Sequence, residues 1–162
     1  RALLELSVSK GAEALNIIPD RNWNITSVDE KAKKYSNLQE IVKTATSLDL
    51  PLHIGTEMNK PGLPFVDDLR GKELNPFKES FTRGAKIFTG QTILLRLADF
   101  SYVDQQADVM FKTKKEKNDF FESVGNLPPL HFCVADKYRD MKPEKAFEHI
   151  SGSAQAGRWK IQ

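Results

Sequence analysis

Two short apolar segments separated by a long amphipathic stretch constrain the fold of this chain most strongly. EALNII (13–18) and LPLHIGTE (50–57) are short apolar runs that end in polar residues, a pattern typical of buried strands. Between them, residues 31–50 place apolar side chains three and four positions apart, which predicts a helix with one buried face. This order predicts two parallel strands joined by a right-handed crossover.

Apolar spacing predicts helices over most of the remaining sequence. Residues 126–136 instead predict a turn that can include a short strand, and residues 151–162 predict a frayed tail. Asn75 and Pro76 suit the cap and the first position of the longest helix. The segments with helical spacing are 1–11, 75–100, 101–111, 114–125 and 142–150.

Composition excludes several classes of protein. Of the 162 residues, 40% are hydrophobic and 28% are charged, which is the balance of a soluble globular protein. The net charge of +2 gives no reason to expect nucleic acid or an anionic membrane as a partner. A single cysteine, Cys133, excludes an internal disulfide framework and favours a packed thiol in a reducing compartment. We therefore expect a cytoplasmic protein without a membrane span.

The first residues suggest that the chain is a fragment. RALLELSVSKG (1–11) lacks an initiating Met and already has a helical apolar stripe, which Gly11 can end. We therefore expect this chain to be the C-terminal portion of a longer protein, whose missing N-terminal portion is a partner and supplies part of any site.

Polar residues follow the first predicted strand at unusual density. Asp20, Arg21, Asn22 and Asn24 surround Trp23, and in parallel α/β folds ligands collect at the carboxyl ends of strands. A carboxylate binds a hard cation, and Arg or amide groups bind phosphate oxygens, which predicts a metal or phosphate site. The alternative is a turn in which Asp and Asn bond their own backbone while Trp23 anchors the packing.

His53 and Glu57 lie at the end of the second predicted strand. Because side chains alternate along a strand, residues four apart share a face, and Gly55 leaves space between them. An imidazole and a carboxylate on one rim can bind a divalent metal such as zinc or manganese. The alternative is a hydrogen-bonded core histidine and a glutamate that caps the loop.

Other charged residues favour a solvated surface. Asp67, Asp68, Arg70 and Arg83 are able to supply a second carboxylate or a phosphate clamp, but a loop and helix surface is their expected place. The run KTKKEK (112–117) mixes both charge signs and predicts a solvated helical face.

The strand-end motifs resemble those of a known family. GAEALNIIPDRNWN (11–24), the following helix and LPLHIGTEMN (50–59) are similar to the middle of the polymerase and histidinol phosphatase (PHP) family. The resemblance implies an α/β fold, the C-terminal part of a TIM-like, distorted β/α barrel with parallel strands. Residues 1–60 would form the barrel part and residues 61–162 a mainly helical part. The whole chain would be a single domain or a C-terminal fragment. Metals bound at the strand ends would catalyse the hydrolysis of phosphoesters.

By this match Asp20 and Glu57 take the positions of two family metal ligands and act as catalytic residues. His53, from its place on the second strand, would be a third ligand. Arg21 stands where the family has a histidine. With Asn22 and Asn24, it would contact a small-molecule phosphoester. Two hypotheses follow: a metal-dependent phosphoesterase, or a non-catalytic, barrel-derived binding or assembly module.

Overall fold

A computed structural model describes residues 1–57, 61, 65–130 and 132–160. The chain forms two compact units, Arg1–Arg83 and Gly84–Gln162. The described helices are α1 (Ala2–Ser9), α2 (Asp20–Trp23), α3 (Val28–Ser47), α4 (Lys78–Ala98), α5 (Gln105–Met110), α6 (Lys114–Gly125), α7 (Phe132–Arg139) and α8 (Pro143–Ala156).

Two three-residue strands, β1 (Leu15–Ile17) and β2 (Leu52–Ile54), form the sheet of the first unit. They pair in parallel, with Asn16 opposite His53 in the central position. The helix between them, α3, makes the crossover. The predicted strand–helix–strand order and the parallel pairing are therefore confirmed.

Local sequence explains why α3 begins and which face it buries. The Ser27 side chain caps the helix by accepting a hydrogen bond from the backbone N–H of Glu30. Leu38, Val42 and Ala45, at helical spacing, are buried against the strands and the start of α4. The core of this unit consists of Ile17, Leu38, Val42, Ala45, Leu50, Leu52, Leu74, Phe77 and Phe81.

In the second unit, α4 and α6 approach each other through two glycines. A Cβ atom added to Gly90 would lie 2.0 Å from the carbonyl oxygen of Phe121. One added to Gly125 would lie 1.8 Å from the carbonyl oxygen of Lys86. Tight packing thus explains Gly90 inside a helix, where glycine is otherwise unfavourable.

Aromatic side chains pack against one another in the core of the second unit. Phe121 is fully buried and contacts the rings of Phe100 and Tyr102, whose centroids lie 6.0 and 5.0 Å away. The buried core residues are Ile87, Leu94, Ala98, Phe100, Tyr102, Ala107, Phe121, Val124, Leu127, Tyr138, Ala146 and Ile150.

The prediction of a TIM-like barrel portion is wrong. Within the described residues the sheet has only β1 and β2, and the chain is otherwise mostly helical. A parallel crossover pattern specifies how two strands pair, but it does not specify how many further strands join them. The fold is that of a small, mostly helical protein, with one short parallel strand pair in the part that the structure describes.

Several local predictions in the second unit are also wrong. Residues 126–136 were expected to form a turn with a short strand, yet α7 begins at Phe132. Residues 151–156, expected to lie in a frayed tail, instead form the last part of α8, which ends at Ala156. Beyond the helix, the indole of Trp159 donates a hydrogen bond to the Pro128 carbonyl at 2.7 Å. Lys117, expected on a solvated face, is buried.

None of the described helices combines the length and the apolar composition that crossing a membrane requires.

Candidate functional site

The polar residues after β1 form a short helix instead of an open loop. Pro19 is fully buried and immediately precedes α2, the single turn Asp20–Trp23. A proline at a helix start fixes the backbone angle there, so the turn presents its polar side chains at the end of the strand. The residues that sequence reasoning selected between 20 and 24 therefore lie on or beside one helical turn.

An ion pair joins the ends of the two strands. The guanidinium of Arg21 donates to Oε2 of Glu57 through Nε, at 2.7 Å, and through Nη2. The Arg21 side chain is 61% exposed and that of Glu57 30% exposed, so solvent and small molecules reach the pair. The structure thus brings together two predicted site residues that are far apart in sequence.

The neighbouring polar side chains bond locally. The amide of Asn24 donates to Oδ1 of Asp20 at 3.0 Å, and the amide of Asn22 donates to the carbonyl oxygen of Ile18 at 3.2 Å. These contacts span four residues each and support the turn itself. Asp20, Asn22 and Asn24 are therefore tied to α2 and its approach.

His53 lies within β2 and is half-buried. Burial lowers the pKa of its imidazole and so favours the neutral form. A Cβ atom at Gly55 would lie 2.6 Å from the side-chain nitrogen of Asn16, so this amide occupies the space that Gly55 leaves. Because β2 ends at Ile54, strand alternation does not continue to Glu57.

A small cavity lies beside α2 in the same unit. Its volume is about 210 Å³, and its lining includes Trp23, Asp67, Asp68, Gly71 and Glu73. Asp67 is only 5% exposed, although the sequence predicted a solvated loop. Neither Nε1 of Trp23 nor Oδ1 of Asp67, both buried, has a hydrogen-bond partner. Both atoms are enclosed by protein, although their side chains line the cavity.

The electrostatics of Asp67 reflect its burial. Loss of hydration raises the pKa of the Asp67 carboxyl, and the negative charge of Asp20 raises it further. The nearby indole of Trp23 opposes this rise. The indole lies near the carboxyl without a hydrogen bond, because Trp23 Nε1 does not meet hydrogen-bond geometry with any acceptor. Asp20 and Asp67 thus interact as like charges.

The described residues do not fit a complete metal centre. Among them, no group of three or more His, Cys, Asp or Glu side chains is placed to hold a metal ion. Glu57, one predicted ligand, is engaged by Arg21, and Asp20 accepts from Asn24. No hydrolytic step through zinc or manganese follows from this arrangement.

Sequence reasoning missed Asp67 as a buried group. It gave Trp23 only a packing role. An acidic pair such as Asp67 and Asp68 ordinarily lies in solvent, and nothing in its spacing identifies which member is buried. The available signal was Val66, an apolar neighbour, but this residue is itself exposed. Tertiary packing alone determines that Asp67 is the buried member of the pair.

Comparison with known proteins gives no assignment: no family model, no curated protein and no solved structure matches this chain. The resemblance to the PHP family therefore rests on the short motifs around Asp20 and Glu57 alone.

Proposed function

We propose that residues 1–83 form a binding module for a small phosphoester, with Arg21 as the principal contact. The observation that carries this proposal is the ion pair between Arg21 and Glu57 at the ends of β1 and β2. A guanidinium matches the geometry of phosphate oxygens and carries a permanent charge. In the free protein Glu57 neutralises that charge, so a phosphate must compete with Glu57 for Arg21.

The exposure of the pair supports such an exchange. An exposed ion pair contributes little net stability, because water hydrates both partners well when they separate. A bound phosphate group can therefore replace Glu57 at Arg21 without opening the core. The amide of Asn24, at the end of α2, offers a second contact for the same ligand.

Metal-dependent phosphoester hydrolysis is the second candidate. The interaction between the like-charged carboxyl groups of Asp20 and Asp67 favours it, since a divalent cation relieves repulsion between two carboxylates. In this candidate Asp20 binds zinc or manganese together with Glu57 and His53, and the nearby charge of Asp67 adds to the attraction for the cation. It requires ligands in addition to those that the described residues bring together.

One substitution separates the two candidates. Glu57→Gln removes the charge that competes for Arg21 and keeps the size of the side chain. If the module binds phosphoesters through Arg21, the variant binds phenyl phosphate several-fold more tightly in calorimetric titration. If Glu57 is a metal ligand, elemental analysis instead finds manganese or zinc in the wild type and less of it in the variant.

Glu73→Gln is the matched control, because Glu73 also pairs with a cation, Lys31, at 3.1 Å in the same unit. It should leave phosphate affinity unchanged. An unchanged phosphate affinity in Glu57→Gln, together with no bound metal in the wild type, would refute both candidates.

A cytoplasmic location belongs to the same proposal and rests on the single cysteine.

A further inference from the structure

The two members of the ion pair at the strand ends differ in how much water reaches them. The Arg21 side chain is 61% exposed, whereas that of Glu57 is 30% exposed. A phosphate group that displaces Glu57 from Arg21 therefore leaves the less hydrated member of the pair without a counter-ion. An unpaired carboxylate is less stable where part of its hydration has been lost, so this exchange has a cost at Glu57.

Other carboxyl groups near Arg21 add negative charge to this region. Asp20 directly precedes Arg21, and its charge also acts on Asp67. Asp20 keeps the amide of Asn24 as a partner at 3.0 Å, and Asp67 is buried. Glu57 is therefore the carboxylate that a bound phosphate leaves without a partner.

A ligand that carries both charge signs removes this cost. Its phosphate binds the guanidinium of Arg21 and its cation binds the carboxylate of Glu57, so each member of the ion pair obtains a new partner. An ammonium group suits Glu57, because ammonium only donates hydrogen bonds and an ionised carboxylate only accepts them. The link between the two charges must be short, since Arg21 and Glu57 contact each other in the free protein.

We propose that the phosphoester bound at Arg21 is a zwitterion, an aminoalkyl phosphate whose ammonium group pairs with Glu57. This inference rests on the proposed function and names the class of ligand. Glu57 then has a role in each state: it neutralises Arg21 in the free protein and binds the ammonium group in the complex. A phosphoester without a cation is bound less well, because it leaves Glu57 unpaired.

O-Phosphoethanolamine and propyl phosphate are matched probes, because a methyl group in propyl phosphate takes the place of the ammonium group. In calorimetric titration the wild type should bind O-phosphoethanolamine at least about threefold more tightly than propyl phosphate. Equal affinities, or tighter binding of propyl phosphate, overturn the zwitterion proposal and leave the phosphate contact in place. This comparison uses the wild type alone, so it does not depend on the folding of any variant.

Glu57→Gln should abolish the preference between the probes. The variant loses the ammonium contact and also the competition for Arg21, so propyl phosphate should bind it more tightly than it binds the wild type. Glu73→Gln is the control, because it removes one negative charge in the same unit, where Glu73 pairs with Lys31. It should keep the wild-type preference. An equal loss of preference in both variants means that overall charge produces it, and contradicts the role of Glu57.

Failure of this inference is distinguishable from failure of the proposed function. If the wild type binds neither probe and Glu57→Gln binds both, the phosphate contact at Arg21 stands and the zwitterion proposal is wrong. If neither probe binds either protein, the phosphate contact itself is wrong and this inference falls with it.

Discussion

Arg21 and Glu57, which are 36 positions apart, form an ion pair across the ends of two parallel strands. Both Nε and Nη2 of Arg21 donate to the same carboxylate oxygen, so the guanidinium contacts Glu57 side-on. The pairing of β1 with β2 makes this contact geometrically available, because Ile17 and Ile54 lie side by side where both strands end.

A double-mutant cycle with Arg21→Ala and Glu57→Ala should give a coupling free energy of only about 0.5–1 kcal/mol. The pair is partly exposed, so water offsets most of its electrostatic attraction. Urea denaturation of the four proteins measures the coupling, and added salt should reduce it. A coupling several times larger, insensitive to salt, contradicts this account.

Gly90→Ala should destabilise the protein by at least about 3 kcal/mol, because its Cβ atom would overlap the carbonyl oxygen of Phe121. Helix backbone cannot yield as a flexible side chain does, so α4 and α6 must move apart. The free energy of unfolding, measured by chemical denaturation, checks this prediction.

Gly152→Ala is the matched control within a helix. Its Cβ atom would meet only the Lys160 side chain, with Nζ at 3.6 Å and Cδ at 4.0 Å, which is ordinary contact. Relief of the glycine entropy cost should stabilise the protein by up to about 1 kcal/mol. Similar losses of unfolding free energy in both variants would mean that helix packing at Gly90 does not cause the destabilisation.

The free energy of unfolding of Asp67→Asn, relative to that of the wild type, should decrease as the pH falls. The pKa of Asp67 is raised above its ordinary 3.8, so its charge destabilises the folded state above the raised value. That penalty shrinks as the pH falls through the folded-state pKa and is absent below 3.8. Denaturation of both proteins from about pH 7 to about pH 3.5 measures the difference. A constant difference argues against a raised pKa.

His53→Gln should lower the sensitivity of stability to acid. Burial holds the pKa of His53 below its ordinary 6.5, so protonation favours the unfolded state as the pH falls below 6.5. Above that pH both states hold a neutral imidazole and the effect is absent. In thermal melts at several pH values, the melting temperatures of His53→Gln and the wild type should change differently with pH only below pH 6.5. Parallel curves for variant and wild type contradict the buried, neutral state of His53.

Local elements could be predicted because neighbouring residues specify them. The apolar spacing in residues 31–50 and the capping hydroxyl of Ser27 define α3 whatever lies around it. Asn75 and Pro76 do mark the start of this helical segment, but they form a 3₁₀ turn whose N-cap is Leu74, without a side-chain cap hydrogen bond, so the predicted Asn75 cap is wrong. The parallel pairing of β1 and β2 also follows from a helix of crossover length between two short apolar runs.

Burial of charged groups could not be predicted from neighbouring residues. Lys117 is only 4% exposed, with its Nζ 2.8 Å from Oδ1 of Asp108 and 4.4 Å from the ring centroid of Tyr102. The residues before it, Lys115 and Glu116, are of types that ordinarily face water. Asp67 is buried although its apolar neighbours Phe65 and Val66 are exposed. In both cases another segment contributes to the environment, namely Asp108 and Tyr102 around Lys117 and Trp23 beside Asp67.

The sequence by itself determined where most helices begin, which faces they bury and that two short strands run side by side. Tertiary structure alone decided that the sheet stops at two strands in the described residues, and that Arg21 meets Glu57. It also placed Trp23 beside Asp67 at a cavity. Propensity and periodicity act over a few residues, whereas contacts between distant segments depend on how whole elements pack.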